Sequence, residues 1–250
     1  MVKKIFILGT GRSGTHFVGN IIAAQENVEK TIESPEIFNL VTEAAVFKKR
    51  REYLIPKIID FYNSFEFSPE TTHYIDKSHP LLWIAEEIDE KVDNTFFISV
   101  VRNPFAVVAS TLKHKGVRAW LENWKDYPIP NEFLGIDNEN INSYSNMSIE
   151  GKAAMRWISH MEEIYRLKIK GMKNFMVVRY EDLFYKKKET VKKISEFLEL
   201  DVDISKVHFE ESSLNKWIKN LNSKQKNTII EVLRNSCDHD VLNFFYPGII

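Results

Sequence analysis

Residues 1–16 read MVKKIFILGTGRSGTH, and this stretch decides the fold. The run 4–8 is apolar, β-branched and aromatic, the composition of a buried strand. It breaks into Gly9-Thr10-Gly11-Arg12-Ser13-Gly14, and an apolar-periodic segment then resumes over 15–24, which predicts a helix. Strand, glycine turn and helix together make a phosphate cradle. Glycines let the chain curl so that successive N–H groups converge, and the helix N-terminus adds partial positive charge. Gly11, Arg12, Ser13, Gly14, Thr15 and His16 are the candidate anion-binding residues, with Arg12 the fixed cation of the loop.

Gly9 and Gly14 frame four residues, the spacing of the nucleotide loop GxxxxGK[ST]. The lysine position of that pattern holds Thr15, and the position of the Mg²⁺-binding hydroxyl holds His16. The loop therefore suits a phosphate-like anion better than a Mg·ATP complex.

Outward from the loop, further strands are predicted over 28–32, 73–76, 96–101 and 175–179. Helical periodicity covers 15–24, 37–63, 81–91, 104–115, 149–170 and 189–198. Strands alternating with helices predict a three-layer α/β fold, a central parallel sheet flanked by helices, resembling the P-loop nucleotide hydrolases. Ligands in such folds bind beyond the carboxyl ends of the strands. Residues 1–250 read as one domain, a length that buries a sizeable core. The alternation fails at about 117–147, where Trp120, Trp124, Tyr127, Phe133 and Tyr144 alternate with Asn and Asp. This reads as a long surface excursion, of the kind that binds a substrate or covers it.

Composition sets bounds. Hydrophobic residues make up 44% and charged residues 28%, ordinary for a globular protein, and the net charge of −1 gives no global field to recruit nucleic acid or an anionic membrane. The single cysteine, Cys237, excludes an internal disulfide and fits a reducing compartment. The apolar run 3–8 is too short for a signal peptide, and no run approaches the ~20 residues of a membrane span. A soluble cytoplasmic protein is expected, with no nucleic-acid partner. The seven histidines and the cysteine show no metal-ligand spacing. The basic run at Lys186, Lys187 and Lys188 reads as a solvated helix start. Oligomeric state is not readable.

A second motif is FFISVVRNPFAVVAS, residues 96–110. A buried strand delivers Arg102 at its carboxyl end, Pro104 starts a helix, and Ser110 follows about two turns later. A guanidinium and a hydroxyl converging in this way make a pocket for a second phosphate, although such an arginine also serves as a plain surface charge.

With both motifs in hand, the chain resembles the sulfotransferases that use 3′-phosphoadenosine 5′-phosphosulfate, the protein-tyrosine and carbohydrate enzymes in particular. The resemblance implies that the first loop holds the 5′-phosphosulfate and the Arg102…Ser110 pair the 3′-phosphate. Residues 177–183, VVRYEDL, resemble the family run whose tyrosine, here Tyr180, lies near the adenine. Residues 214–217, LNKW, resemble the late segment whose lysine, here Lys216, reaches the cofactor phosphate. The match extends in order from Gly9 to Trp217. The protein-tyrosine enzymes add an arginine four positions after the serine; here that position is His114, between Lys113 and Lys115.

Sulfuryl transfer needs a base for the acceptor proton and a cation at the leaving oxygen. The resemblance implies that Glu33, after the second strand, is the base, that Lys77 contacts the leaving oxygen, and that Arg12 stabilises the growing charge. Glu36 rivals Glu33, because Pro35 can start a helix that presents it instead, and His79 is the next candidate. Both glutamates also fit plain helix N-terminal residues. The implied acceptor is a hydroxyl compound: a glycan, a phenol or another alcohol. Two other readings stay open, a P-loop kinase or nucleotide hydrolase and a non-catalytic nucleotide-binding protein.

Overall fold

The computed structural model describes residues 1–205 and 207–249. Five parallel strands are described, β1 (Lys3–Gly9), β2 (Val28–Ile32), β3 (His73–Lys77), β4 (Thr95–Val101) and β5 (Phe175–Arg179), in the order β2-β3-β1-β4-β5. The helices are α1 (Thr15–Ala23), α2 (Pro35–Val46), α3 (Arg51–Ser64), α4 (Ala85–Lys91), α5 (Pro104–Lys113), α6 (Lys115–Glu122), α7 (Ile141–Asn146), α8 (Ile149–Ile169), α9 (Asp182–Tyr185), α10 (Lys187–Leu198), α11 (Ser212–Asn220), α12 (Ser223–Ser236) and α13 (His239–Phe245). Every expected strand lies within one residue of its predicted ends.

The sheet order follows from burial. β1 and β4 are apolar along nearly their whole length and sit in the middle, while β2, VEKTI, carries charge and forms an edge. Successive side chains alternate faces: Ile5 and Ile7 enter a core with Val18, Ile22, Ile194 and Leu198, whereas Phe6 and Leu8 enter the other with Tyr62, Phe97, Trp157 and Ile158. From β1 the chain first builds one side of the sheet and then, through β4, the other. The crevice at that reversal lies at the carboxyl end of β1, where the glycine loop begins.

Three helical expectations change. The segment 37–63 is broken at Phe47, whose backbone leaves the helical region (φ −112°, ψ 79°). Arg51 Nε donates to the Ala44 carbonyl at 2.9 Å, and Arg50 reaches Glu43, so basic residues satisfy the end of α2 and favour a stop there. The segment 81–91 begins as a 3-10 turn, His79–Ile84, after Pro80 removes an N–H. The segment 104–115 ends at Lys113, because the His114 imidazole accepts from the Val117 N–H at 3.2 Å and caps a new helix, α6. That helix runs into the expected excursion, which is only partly a surface loop. Trp124, Phe133 and Tyr144 are buried in the main core, since aromatic area of that size gains more in the interior than in water. Helices α11 to α13 had no counterpart in the sequence reading.

Asp76, in β3 next to Lys77, is fully buried and accepts from Thr31 Oγ1 at 2.7 Å. Burial lifts its carboxyl to about 6, against the pull of the Thr31 hydrogen bond, of the nearby Ser78 and Tyr62 hydroxyls and of Lys77. A folded pKa above the unfolded one means that this group costs stability as pH rises from about 4 to 6. The effect is on the order of 3 kcal/mol. Asp76→Asn removes it: on going from pH 5 to pH 8 the melting temperature of the variant should gain relative to that of the parent protein. An unchanged difference would refute the assignment.

Candidate active site

The glycine loop folds as its sequence requires. Gly9, Arg12 and Gly14 have positive φ, at 139°, 79° and 100°. At Gly14 a Cβ would lie 2.2 Å from Tyr180 Cδ2, so glycine answers both a left-handed backbone and a close approach. Ser13 N–H closes the turn on the Thr10 carbonyl at 3.0 Å. The Thr10 and Ser13 hydroxyls are buried without partners. The free N–H groups of the first turn of α1 open at the same place.

Two cavities meet at this loop, and Arg12 and His114 line both. The first, about 380 Å³, adds Arg102, Ser110, Lys113, Ser213, Lys216, Trp217 and Asn220. No described residue lining it is acidic. Arg12 Nε donates to Ser110 Oγ at 3.1 Å, which joins the two expected phosphate motifs directly. Arg102 Nη2 donates to the Ser213 carbonyl at 2.7 Å, while its Nε is buried without a partner. Lys216 reaches this wall but pairs with Glu210. Tyr180 does not line the cavity. Its ring lies under Gly14, covered by Arg102 at 4.2 Å, and its hydroxyl bonds Ser213 Oγ at 2.9 Å. It serves as a floor for the loop and for Arg102.

The second cavity, about 370 Å³, holds Gly11, Thr15, His16, Glu33, Lys77 and His79, with Phe38, Val117 and Trp120 as an apolar wall. Glu33 follows β2 in a left-handed conformation, φ 49°, and its N–H donates to the Lys77 carbonyl at 3.2 Å. Such a conformation is unfavourable for glutamate, and here it turns the carboxylate inward. The carboxylate pairs with the buried Lys77 ammonium, and the rings of His16 and His79 stand 3.5 Å away. Burial alone would raise the Glu33 carboxyl, but His79, Lys77 and His16 together pull it down to about 2. Burial lowers the Lys77 ammonium, opposed by Glu33. Glu36 is exposed on the first turn of α2 and lines neither cavity.

A larger cleft, about 690 Å³, lies between α8, α12 and residues 130–143, lined by Glu132, Asp137, Glu139 and Glu162. Its wall is acidic, whereas no described residue lining the first loop cavity is, so charge rather than size sets the loop cavities apart as the candidate site. Val117, like Trp120, lies in the stretch 117–147 that the sequence marks as a binding excursion, whereas Ser213, Asn220 and Phe38 were missed. They come from segments without a motif, and only the fold brings them to the loop.

The fold is the P-loop-like α/β architecture. A family model described as the sulfotransferase domain matches residues 2–249, and the chain belongs to that family. Among solved structures it resembles the sulfotransferase domain of the olefin synthase from Synechococcus PCC 7002, at 16% identity over 93% of this chain and 94% of that one, TM-score 0.53. It also resembles the sulfotransferase domain of the curacin biosynthetic pathway, at 14% identity over 95% and 99%, TM-score 0.54. Mouse sulfotransferase SULT7A1, complexed with PAP, matches at 17% identity over 94% and 85%, TM-score 0.52. No curated protein matches the sequence. None of the described helices is long and apolar enough to cross a membrane.

Proposed function

We propose that this member of the sulfotransferase family moves a sulfuryl group from 3′-phosphoadenosine 5′-phosphosulfate to a hydroxyl acceptor, leaving adenosine 3′,5′-bisphosphate. One observation carries the reading: Arg12 joins a cation-lined cavity without carboxylates to a cavity that holds a carboxylate–lysine pair. A bisphosphate fits the first cavity, which Arg12, Arg102, Lys113 and Lys216 line and where Arg102 Nε is buried without a partner. The cofactor, when bound, supplies the sulfuryl group and a phosphate leaving group.

The chain's own residues do the rest. Arg102, Ser110 and Lys113 bind the 3′-phosphate, with Lys113 supplying charge at the wall where His114 stands in place of an arginine. The loop amides, Arg12 and Thr15 bind the 5′ end and stabilise negative charge as it grows there. Phe38, Val117 and Trp120 exclude water and hold the body of the acceptor. Glu33 takes the acceptor proton, and Lys77 turns its ammonium to the leaving oxygen. Thr15 and His16, in place of the lysine and hydroxyl of a Mg·nucleotide loop, make the chemistry independent of Mg²⁺.

Calorimetric titration tests the reading. Adenosine 3′,5′-bisphosphate should bind, and ATP·Mg should bind far more weakly. Sulfuryl transfer should persist in excess chelator. Preference for ATP·Mg, or strict dependence on Mg²⁺, would return a kinase or nucleotide hydrolase to first place.

A further inference from the structure

Among the described residues, Arg12 and His114 alone line both cavities. Arg12 binds at the loop, whereas His114 has no task so far beyond its cap. Its backbone ends α5 and begins α6: its N–H donates to the Thr111 carbonyl at 3.0 Å, and its carbonyl accepts from the Arg118 N–H at 3.0 Å. Its side chain adds a third bond. Nδ1 accepts at 3.2 Å from the N–H of Val117, the third residue of α6. A nitrogen that accepts carries no proton, and a neutral imidazole has one N–H, so the proton sits on Nε2. Among the described residues none accepts from that N–H, which leaves it to a ligand.

Helix α6 depends on the cap. It has eight residues, too few to persist as an isolated helix, and Gly116 in its first turn is a poor helix former. Yet it carries Val117 and Trp120, two of the three apolar residues of the second cavity. Val117 is buried, and the Trp120 ring packs edge-on against Phe133 at 4.9 Å. The amide that His114 holds is that of Val117 itself. A ring with its proton on Nδ1 would turn a donor toward that N–H and release it, and so would an imidazolium. The site of the His114 proton and the placement of the apolar wall are therefore linked.

We propose that His114 is a positioning residue that couples the two cavities: its Nε2–H donates to the 3′-phosphate, and this bond fixes the tautomer whose Nδ1 caps α6 and sets Val117 and Trp120 around the sulfuryl acceptor. The inference rests on the first cavity as the nucleotide site. Arg12, Arg102, Lys113 and Lys216 line that cavity and supply its charge, so the ring is needed there as a directed N–H donor rather than as a cation. Linkage makes the coupling reciprocal: the factor by which the nucleotide tightens acceptor binding is the factor by which the acceptor tightens nucleotide binding. Before the nucleotide arrives the wall is loosely held, which disfavours an acceptor that enters first.

Amide hydrogen exchange of the full chain, read over residues 117–122 with and without adenosine 3′,5′-bisphosphate, tests this without an acceptor. In the parent protein the bisphosphate should slow exchange there by about two- to thirtyfold, the range an N-terminal cap is worth. 5′-AMP, which lacks the 3′-phosphate, should not. Two variants divide the ring: asparagine places an oxygen near Nδ1 and nothing at Nε2, and glutamine places its amide near Nε2 and nothing at Nδ1. His114→Asn should keep 117–122 protected whether or not the nucleotide is present, and should bind the bisphosphate about tenfold more weakly. His114→Gln should bind it nearly as the parent does and lose the protection. Exchange in β1 and β4 should be alike in all three proteins, which checks folding. Exchange over 117–122 that ignores the bisphosphate in the parent protein overturns the proposal, and so does protection that persists in His114→Gln. A parent protein that binds no adenosine 3′,5′-bisphosphate by calorimetry overturns the sulfotransfer reading as well, whereas binding without protection overturns the coupling alone, so the two failures are distinguishable.

Discussion

Turnover in Glu33→Gln should fall about 10²–10⁴-fold, the usual contribution of a positioned general base. Affinity for adenosine 3′,5′-bisphosphate should be nearly unchanged, because Glu33 lines the second cavity and not the first. Glu36→Gln should behave as the parent protein, since Glu36 is exposed and lines neither cavity. Lys77→Ala should slow transfer and also weaken cofactor binding. The glutamine variant carries a second signature. It leaves the Lys77 ammonium buried without its ion-pair partner, so its melting temperature should drop. The ion pair also sets a pH window. A carboxyl pulled from 4.5 to about 2 contributes stability above its unfolded pKa, and that stability is lost as pH falls through the folded value. The acid limb of the melting curve below pH 4.5 should therefore flatten in Glu33→Gln. Acceptor turnover measured for both glutamine variants decides the matter: full activity in Glu33→Gln would move the base elsewhere.

Arg102→Ala should remove most of the preference for adenosine 3′,5′-bisphosphate over 5′-AMP. A charge-assisted hydrogen bond lost here costs about 1.5–3 kcal/mol, roughly ten- to over a hundredfold in affinity. Arg102 is anchored by the Ser213 carbonyl at 2.7 Å and by the Tyr180 ring, and its buried Nε is left to meet a ligand. Ser110 acts at two points. It accepts from Arg12 Nε as well as facing the 3′-phosphate, so its loss should weaken both nucleotides and the bisphosphate more. Titration of the two nucleotides against the parent and variant proteins separates these effects. Equal affinities in the parent protein would remove the second phosphate from this cavity.

The strands, the glycine loop and the Arg102…Ser110 spacing were legible in the sequence because each is a local device. A fully buried parallel strand is a continuous apolar run, a phosphate turn needs glycine at positive φ, and a helix carries a residue eight positions on to the same end of the sheet. The choice between Glu33 and Glu36 was not legible. It depends on a left-handed backbone at Glu33 and on Lys77 reaching across from β3, a contact between residues 44 apart in sequence. The burial of rings within the aromatic stretch near 117–147 was not legible for a related reason. Its polar spacing suggests a loop, but the core built by α5 and α8 offers its rings more burial than the surface does. The end of α5 turned on one imidazole capping α6, and the role of Tyr180 turned on the absence of a Cβ at Gly14. By itself the sequence determined the sheet and the residues of the glycine loop, because backbone geometry there follows from residue type. Only the tertiary structure decided which carboxylate enters the second cavity, because charge pairing and burial arise between segments that the chain keeps far apart.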